Sequence, residues 1–286
     1  MKKTAKLVLL LILSSVFVSS PQFQVANAQA PISIGADGTV KGTDKITKDG
    51  DVYTLVESIH IVSSNLVSGI VGISIERDNV VLDGGGHTLW ATGDYVTGVS
   101  TCDRTNVTIK NLEIIQCTTG ISLSGSNNFV IQNVIRKNKR GIVAVDGPNE
   151  IAENHIKDND VGIFGYICKA LVYNNNFVSN TLHFENDCWD ARFDMPICEI
   201  TFNQAKDVGG NYWDDYTGTD DDGDGIGDTP YHVTDNSYSM HYVDSYPLIE
   251  QVSTIPEFSF WTLLFLFFIV GLIVIGFRKE LSKIST

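Results

Sequence analysis

"GVSTCDRTNVTIKN" (98–111), "GISLSGSNNFVIQN" (120–133), "GIVAVDGPNEIAEN" (141–154) and "GIFGYICKALVYNN" (162–175) are four successive statements of one pattern. Gly98, Gly120, Gly141 and Gly162 recur at intervals of 22, 21 and 21 residues, and Asn111, Asn133, Asn154 and Asn175 keep the same intervals. Two residue types sharing one period of this length mark a solenoid. Each unit holds two β-branched runs separated by a polar turn, and triplets such as "VTI", "FVI" and "LVY" do not fit a helical period. The pattern predicts an all-β chain wound as a right-handed parallel β-helix, each coil about 4.8 Å above the last. It continues upstream in "GISIERDNVVLDGGG" from Gly72, where Asn79 and Leu82 take the places of Asn106 and Ile109.

In such a stack the asparagine column is expected to hydrogen-bond along the axis through its side-chain amides. Val107 and Ile109, Phe129 and Ile131, Ile151 and Leu171 are expected to fill the core. Both ends of the stack leave backbone unpaired and need covers. The resulting organisation is an N-terminal cap over 29–70, repeats over 71–205 and a C-terminal cap over 206–250.

The chain starts "MKKTAKLVLLLILSSVFVSS", three lysines ahead of an apolar run, followed by "VANAQA". Residues 1–28 read as a secretory signal peptide. The other end carries the uncharged "FSFWTLLFLFFIVGLIVIGF" (258–277), long enough to span a bilayer as one transmembrane helix, and then a basic cytoplasmic tail over 278–286. Everything between is expected on the outer cell surface, anchored to the membrane at its C terminus. The formal net charge of −14 deepens once the basic ends are removed. That charge repels nucleic acid and attracts divalent cations. Five cysteines in an oxidising compartment leave one unpaired at the least. Cys188 and Cys198 across "CWDARFDMPIC" are the first candidate disulfide, and Cys102 with Cys117 the second.

The coils, "VVLDGGGHTL" and above all "GGNYWDDYTGTDDDGDGIGDTPY" followed by "DSYPL" resemble the NosD-like and CASH-type (carbohydrate-binding and sugar-hydrolase) β-helix proteins over roughly residues 50 to 250. The resemblance implies a pectin-lyase-like solenoid and, in function, sugar binding or copper maturation. Pro256-Glu257-Phe258, closing a linker over 251–257 ahead of the apolar helix, resembles the PEF-CTERM sorting signals of archaeal surface proteins. That likeness implies removal of the helix and transfer to a lipid anchor.

Asp220, Asp222 and Asp224 followed by Gly225 match the first half of a calcium loop. Ile226 would add its carbonyl and Asp228 a ninth-place ligand, while Tyr231 stands where an EF-hand has its bidentate Glu. The expectation is a structural calcium ion that fastens the cap. For copper, which needs soft or imidazole ligands, the candidates are His232, Met240 and His241, with Cys188, Met195 and Cys198 as a second set. For glycan cleavage the weak candidates are Asp158 and Asp160, with Lys139 and Arg140 one coil earlier; no serine triad, P-loop or dinucleotide fingerprint stands out.

The function expected is non-catalytic binding of an extracellular or envelope polysaccharide, since a rigid stack offers regularly spaced side chains to a repeating polymer. Copper handling, a polysaccharide lyase or glycoside hydrolase, and a structural adhesion spacer are the alternatives.

Overall fold

A computed structural model of the chain describes residues 27–28, 31–63, 69–187, 189–190, 195–196, 199–234 and 242–253. Strands dominate it, and no helix occurs among these residues. The strands stack in parallel into an eight-stranded and a fourteen-stranded sheet. The larger sheet supplies two faces of a coil, because Arg140–Ala152 and Val161–Tyr173 each run around the corner between them. The smaller sheet is the third face, and the whole is a parallel β-helix.

On the first face Ile73, Val99, Ile121, Ile142, Ile163 and Phe184 lie in register. On the second, Tyr53, Leu82, Ile109, Val130, Ile151 and Val172 do so. The third carries Ile59, Leu89, Ile114, Ile135, Ile156, Phe177 and Trp213. All three columns are buried and meet along the axis as one continuous core. Strands within 29–70 already belong to these sheets: Ile32–Ile34 pairs with Ile70–Ile75, and Ile59–Val62 with Thr88–Thr92. At the far end Glu199–Thr201 and Tyr212–Trp213 complete the stack.

The glycine column has a steric cause. A Cβ on Gly98 would lie 2.6 Å from the carbonyl oxygen of Gly120, one on Gly120 2.5 Å from that of Gly141, and one on Gly141 2.5 Å from that of Gly162. Each coil packs its backbone onto the glycine of its neighbour.

The asparagine column differs from its sequence reading at one position. Leu112, not Asn111, occupies the row of Asn133, and Leu112 N–H donates to Asn133 Oδ1. The 22-residue unit takes up its extra residue at the turn containing Cys102 and Asp103, both at positive φ, before the second face begins. Beyond that turn the offset is 21, with Thr108 paired to Phe129. The same slip corrects the core assignment. Val130 and Val172 are buried, while Phe129, Ile131 and Leu171 are only half-buried on the outer side, because a one-residue shift in a strand exchanges its faces. The upstream match holds, with Ile109 paired to Leu82 and Asn106 Nδ2 donating to Asn79 Oδ1.

The ladder itself is real and keeps four asparagines, losing Asn111 and gaining Asn211. Asn133, Asn154 and Asn175 each donate main-chain and side-chain N–H to the amide oxygen of the next, and Asn175 does so to Asn211. A second ladder of Asn138, Asn159 and Asn180 follows the same rule at the next corner. These buried amides are satisfied by construction, which is the condition for placing polar groups in a core.

Cys102 and Cys117 do not form the second candidate disulfide; both are free thiols, Cys117 buried at the head of the second ladder. Cys188 and Cys198 lie outside the described residues, as do 1–26 and 254–286 with the signal peptide, sorting motif and apolar helix. Among the described residues no helix is long and apolar enough to cross a membrane.

Candidate functional site

The second ladder sets out a row of exposed polar side chains at its corner of the coils. Asn138 and Asn159 point inward to bond along the axis, so the residues on either side of each point outward. Gln116, Lys137 and Asp158 share one turn position in successive coils, each at positive φ, and Thr118, Lys139 and Asp160 share the position two residues on. Together with Asp94 they line an open groove of about 430 Å³. Cys117 also reaches it, but burial pushes its thiol up to about 12, so it stays protonated and inert.

A second groove, of about 340 Å³, shares Gln116 with the first and runs onto the third face. Thr88, Trp90, Glu113 and Arg136 line it. Burial would raise the Glu113 carboxyl, but hydrogen bonds from Thr88 Oγ1 (2.6 Å) and Arg136 Nε (2.8 Å) outweigh it and hold the group below the usual range. Trp90 stacks on His60 with ring centroids 4.9 Å apart. The weak catalytic candidates separate here: Asp158, Asp160 and Lys139 meet in the first groove, whereas the Arg140 guanidinium leaves it to lie 4.3 Å from the Phe164 ring centroid.

At the C-terminal end the first ladder finishes in a carboxylate. Asp244 is fully buried and accepts from Asn211 N (2.7 Å), Trp213 Nε1 (2.9 Å) and Tyr246 N (3.1 Å). Burial raises its carboxyl above the ordinary value against these lowering bonds. A Cβ on Gly210 would overlap this carboxylate, which explains that glycine, while Gly209 beside it sits at a φ of +87°. Trp213 lies between Phe177 (4.4 Å) and Tyr231 (4.5 Å), and these stacked rings roof the last coil.

The second ladder ends at His183. Its Nε2 lies 3.1 Å from Asp214 Oδ1 and 3.4 Å from Asp215 Oδ1, and its Nδ1 lies 3.3 Å from Asn180 Nδ2. Sequence reasoning missed this cluster, since no local spacing joins residue 183 to 214; the "NYWDDY" stretch, quoted above only for the family resemblance, was the one signal. One imidazole and two carboxylates within 4.8 Å of one another could hold a metal ion. The hydrogen bonds argue otherwise. Asn180 Oδ1 already accepts from Asn159, which fixes that amide with its N–H toward His183 Nδ1. The proton therefore sits on Nε2, where it bridges the two carboxylates and leaves no lone pair for a metal. The cluster clasps the cap to the last coil and does not fit copper as arranged.

In the acidic loop, Asp220, Asp222 and Asp224 bring carboxylate oxygens within 4.8 Å of one another. Asp220 also accepts N–H bonds from Gly223, Asp224 and Gly225, which curl the loop around it. Asp228 turns away to accept from Asp221 N at 2.8 Å. Lys206 Nζ lies 2.7 Å from Asp224 and 3.8 Å from Asp222; its ammonium lowers the Asp224 carboxyl, and that carboxyl raises Lys206 in return. Of the copper candidates His232 is exposed, while Met240, His241 and the Cys188–Met195–Cys198 set fall outside the described side chains.

A family model described as "Periplasmic copper-binding protein (NosD)" matches residues 22–218. The chain belongs to the NosD family. Its match spans the whole β-helix as far as the start of the acidic loop, and the periplasmic description of the NosD family agrees with an exported chain. Comparisons with curated proteins and with solved structures return no match.

Proposed function

We propose that this NosD-family chain binds an extracellular or envelope polysaccharide non-catalytically along its lateral face, held at the cell surface by its C-terminal segment or by a lipid that replaces it. The observation that carries this reading is the pair of grooves joined at Gln116, which cross successive coils and expose hydrogen-bonding and charged side chains at one coil spacing. A polymer can repeat its contacts on such a surface, whereas a small molecule would use one turn of it. The test is binding of the full-length chain to a polysaccharide array with calcium and then with chelator. Saturable binding to one glycan class is expected; no binding in either condition would sink the reading, and release of new chain ends would convert it to a lyase or hydrolase.

Structural calcium belongs to the same proposal. The carboxylates of Asp220, Asp222 and Asp224 suit a hard cation, with the Ile226 carbonyl and a rotated Asp228 completing part of its shell. Lys206 would be displaced, and its exposure makes that cheap. Calorimetry should register calcium uptake that Asp222→Ala abolishes. Copper handling is the second reading, favoured by the family description alone; it predicts tight copper uptake that His232→Ala or His241→Ala weakens.

A further inference from the structure

We infer that the rung formed by Lys137 and Lys139 makes the groove selective for an anionic glycan, one carrying carboxylate or sulfate groups. This rests on the polysaccharide reading above and names the ligand class of that same groove. The chain is strongly acidic, at a formal net charge of −14. About half of its basic side chains are neutralised in place: Lys45, Arg77, Arg104, Lys110, Arg136, Lys169 and Lys206 each lie within 4.0 Å of a carboxylate. Lys41, Lys48, Lys137, Lys139, Arg140 and Lys157 make no ion pair among the described residues, and the last four of these stand in two adjacent coils.

The position of the two groove lysines follows from the ladder. Because Asn138 must point inward, Lys137 and Lys139 are both thrown outward into the groove. They form the one basic rung of a groove that also holds Asp94, between a neutral rung, Gln116 and Thr118, and an acidic one, Asp158 and Asp160. Adjacent rungs are about 4.8 Å apart, close to the length of one pyranose ring. An anionic group seated on Lys137 and Lys139 therefore places the hydroxyls of the next sugar over Asp158 and Asp160. Those carboxylates accept hydroxyl protons and repel a second anion. The order of the rungs gives a bound chain one polarity. Nucleic acid fits poorly, since an anion at every step would meet both the acidic rung and the field of the whole chain.

The experiment measures affinity of the full-length chain for hyaluronan oligomers, whose carboxylates fall on every second sugar, for the same oligomers with their carboxyls reduced to alcohols, and for keratan sulfate beside its desulfated form. The comparison is repeated with Lys137→Gln/Lys139→Gln, whose side chains are exposed, and circular dichroism verifies the fold. The expected result is at least tenfold tighter binding of one anionic polymer than of its neutral counterpart, with that preference erased in the double variant. Which anionic polymer binds assigns the carboxylate or the sulfate source. Equal binding of charged and neutral glycans, or a preference that survives the double variant, overturns this inference and leaves the polysaccharide reading standing. Failure of every glycan to bind the wild type overturns both.

Discussion

The interior ladders and the acidic loop put polar side chains into close columns by opposite means. In the ladders each asparagine amide offers a donor to one neighbour and an acceptor to the other, so stacking satisfies both and the column can be fully buried. In the loop the carboxylates of Asp220, Asp222 and Asp224 only accept, so they stay in solvent and depend on backbone N–H groups and Lys206. The difference is one of self-complementarity: amides repeat indefinitely, like charges need a counter-charge. Asp244 stands at the junction, a carboxylate terminating an amide ladder, where its acceptor-only character suits a column that has run out of acceptors.

Asp244→Ala should have the largest effect. It strands the N–H groups of Asn211, Trp213 and Tyr246 beneath the roof. At about 1–3 kcal/mol for each buried unsatisfied donor, with partial relaxation, about 3–5 kcal/mol of stability should go. Thermal unfolding should show a fall of about 10 °C. Asn154→Ala should follow at about 2–4 kcal/mol, because it leaves Asn133 without its acceptor and the Val130 carbonyl without its donor. Asn111→Gly, outside the ladder and at positive φ, should cost under about 1 kcal/mol; equal losses at 111 and 154 would refute the register.

Gly141→Ala should cost about 1–3 kcal/mol, since the added methyl meets the Gly162 carbonyl. In the loop the effect should be smaller and conditional. Chelator should lower the wild-type midpoint by a few degrees and leave Asp222→Ala unmoved, while Lys206→Met, by removing the loop's own counter-charge, should make its stability more dependent on calcium.

The pH dependence separates the two kinds of carboxyl by sign. Glu113 is held low, so its contribution is complete above its unfolded value of 4.5 and is lost as pH falls through its folded one. Asp244 is held high, so its contribution is present below 3.8 and is lost as pH rises through its folded value. Unfolding midpoints between pH 3 and 7 should therefore lose their acid limb in Arg136→Met and change in the opposite sense in Asp244→Asn. A parallel shift in both variants would contradict these assignments.

The architecture was legible because the coil repeats: glycines at one period, strand-forming triplets between turns, and asparagines that alternate with them all report local spacing. The groove was half legible, since Lys139, Asp158 and Asp160 were singled out, while Arg140 was misplaced by its stacking on Phe164. Trp90 and Glu113 went unnoticed because neither repeats along the chain.

The periodic spacing of glycines and asparagines was enough to wind this chain into a parallel stack of β-coils, and the clustered aspartates to set a dense acidic loop after them. Tertiary structure alone decided the row in which each residue lies, because a single inserted residue near Cys102 exchanges inside and outside for the strand that follows. It alone also joined Asn211 to Asp244 and His183 to Asp214, since contacts across some thirty residues depend on where the stack ends, and no local period records that.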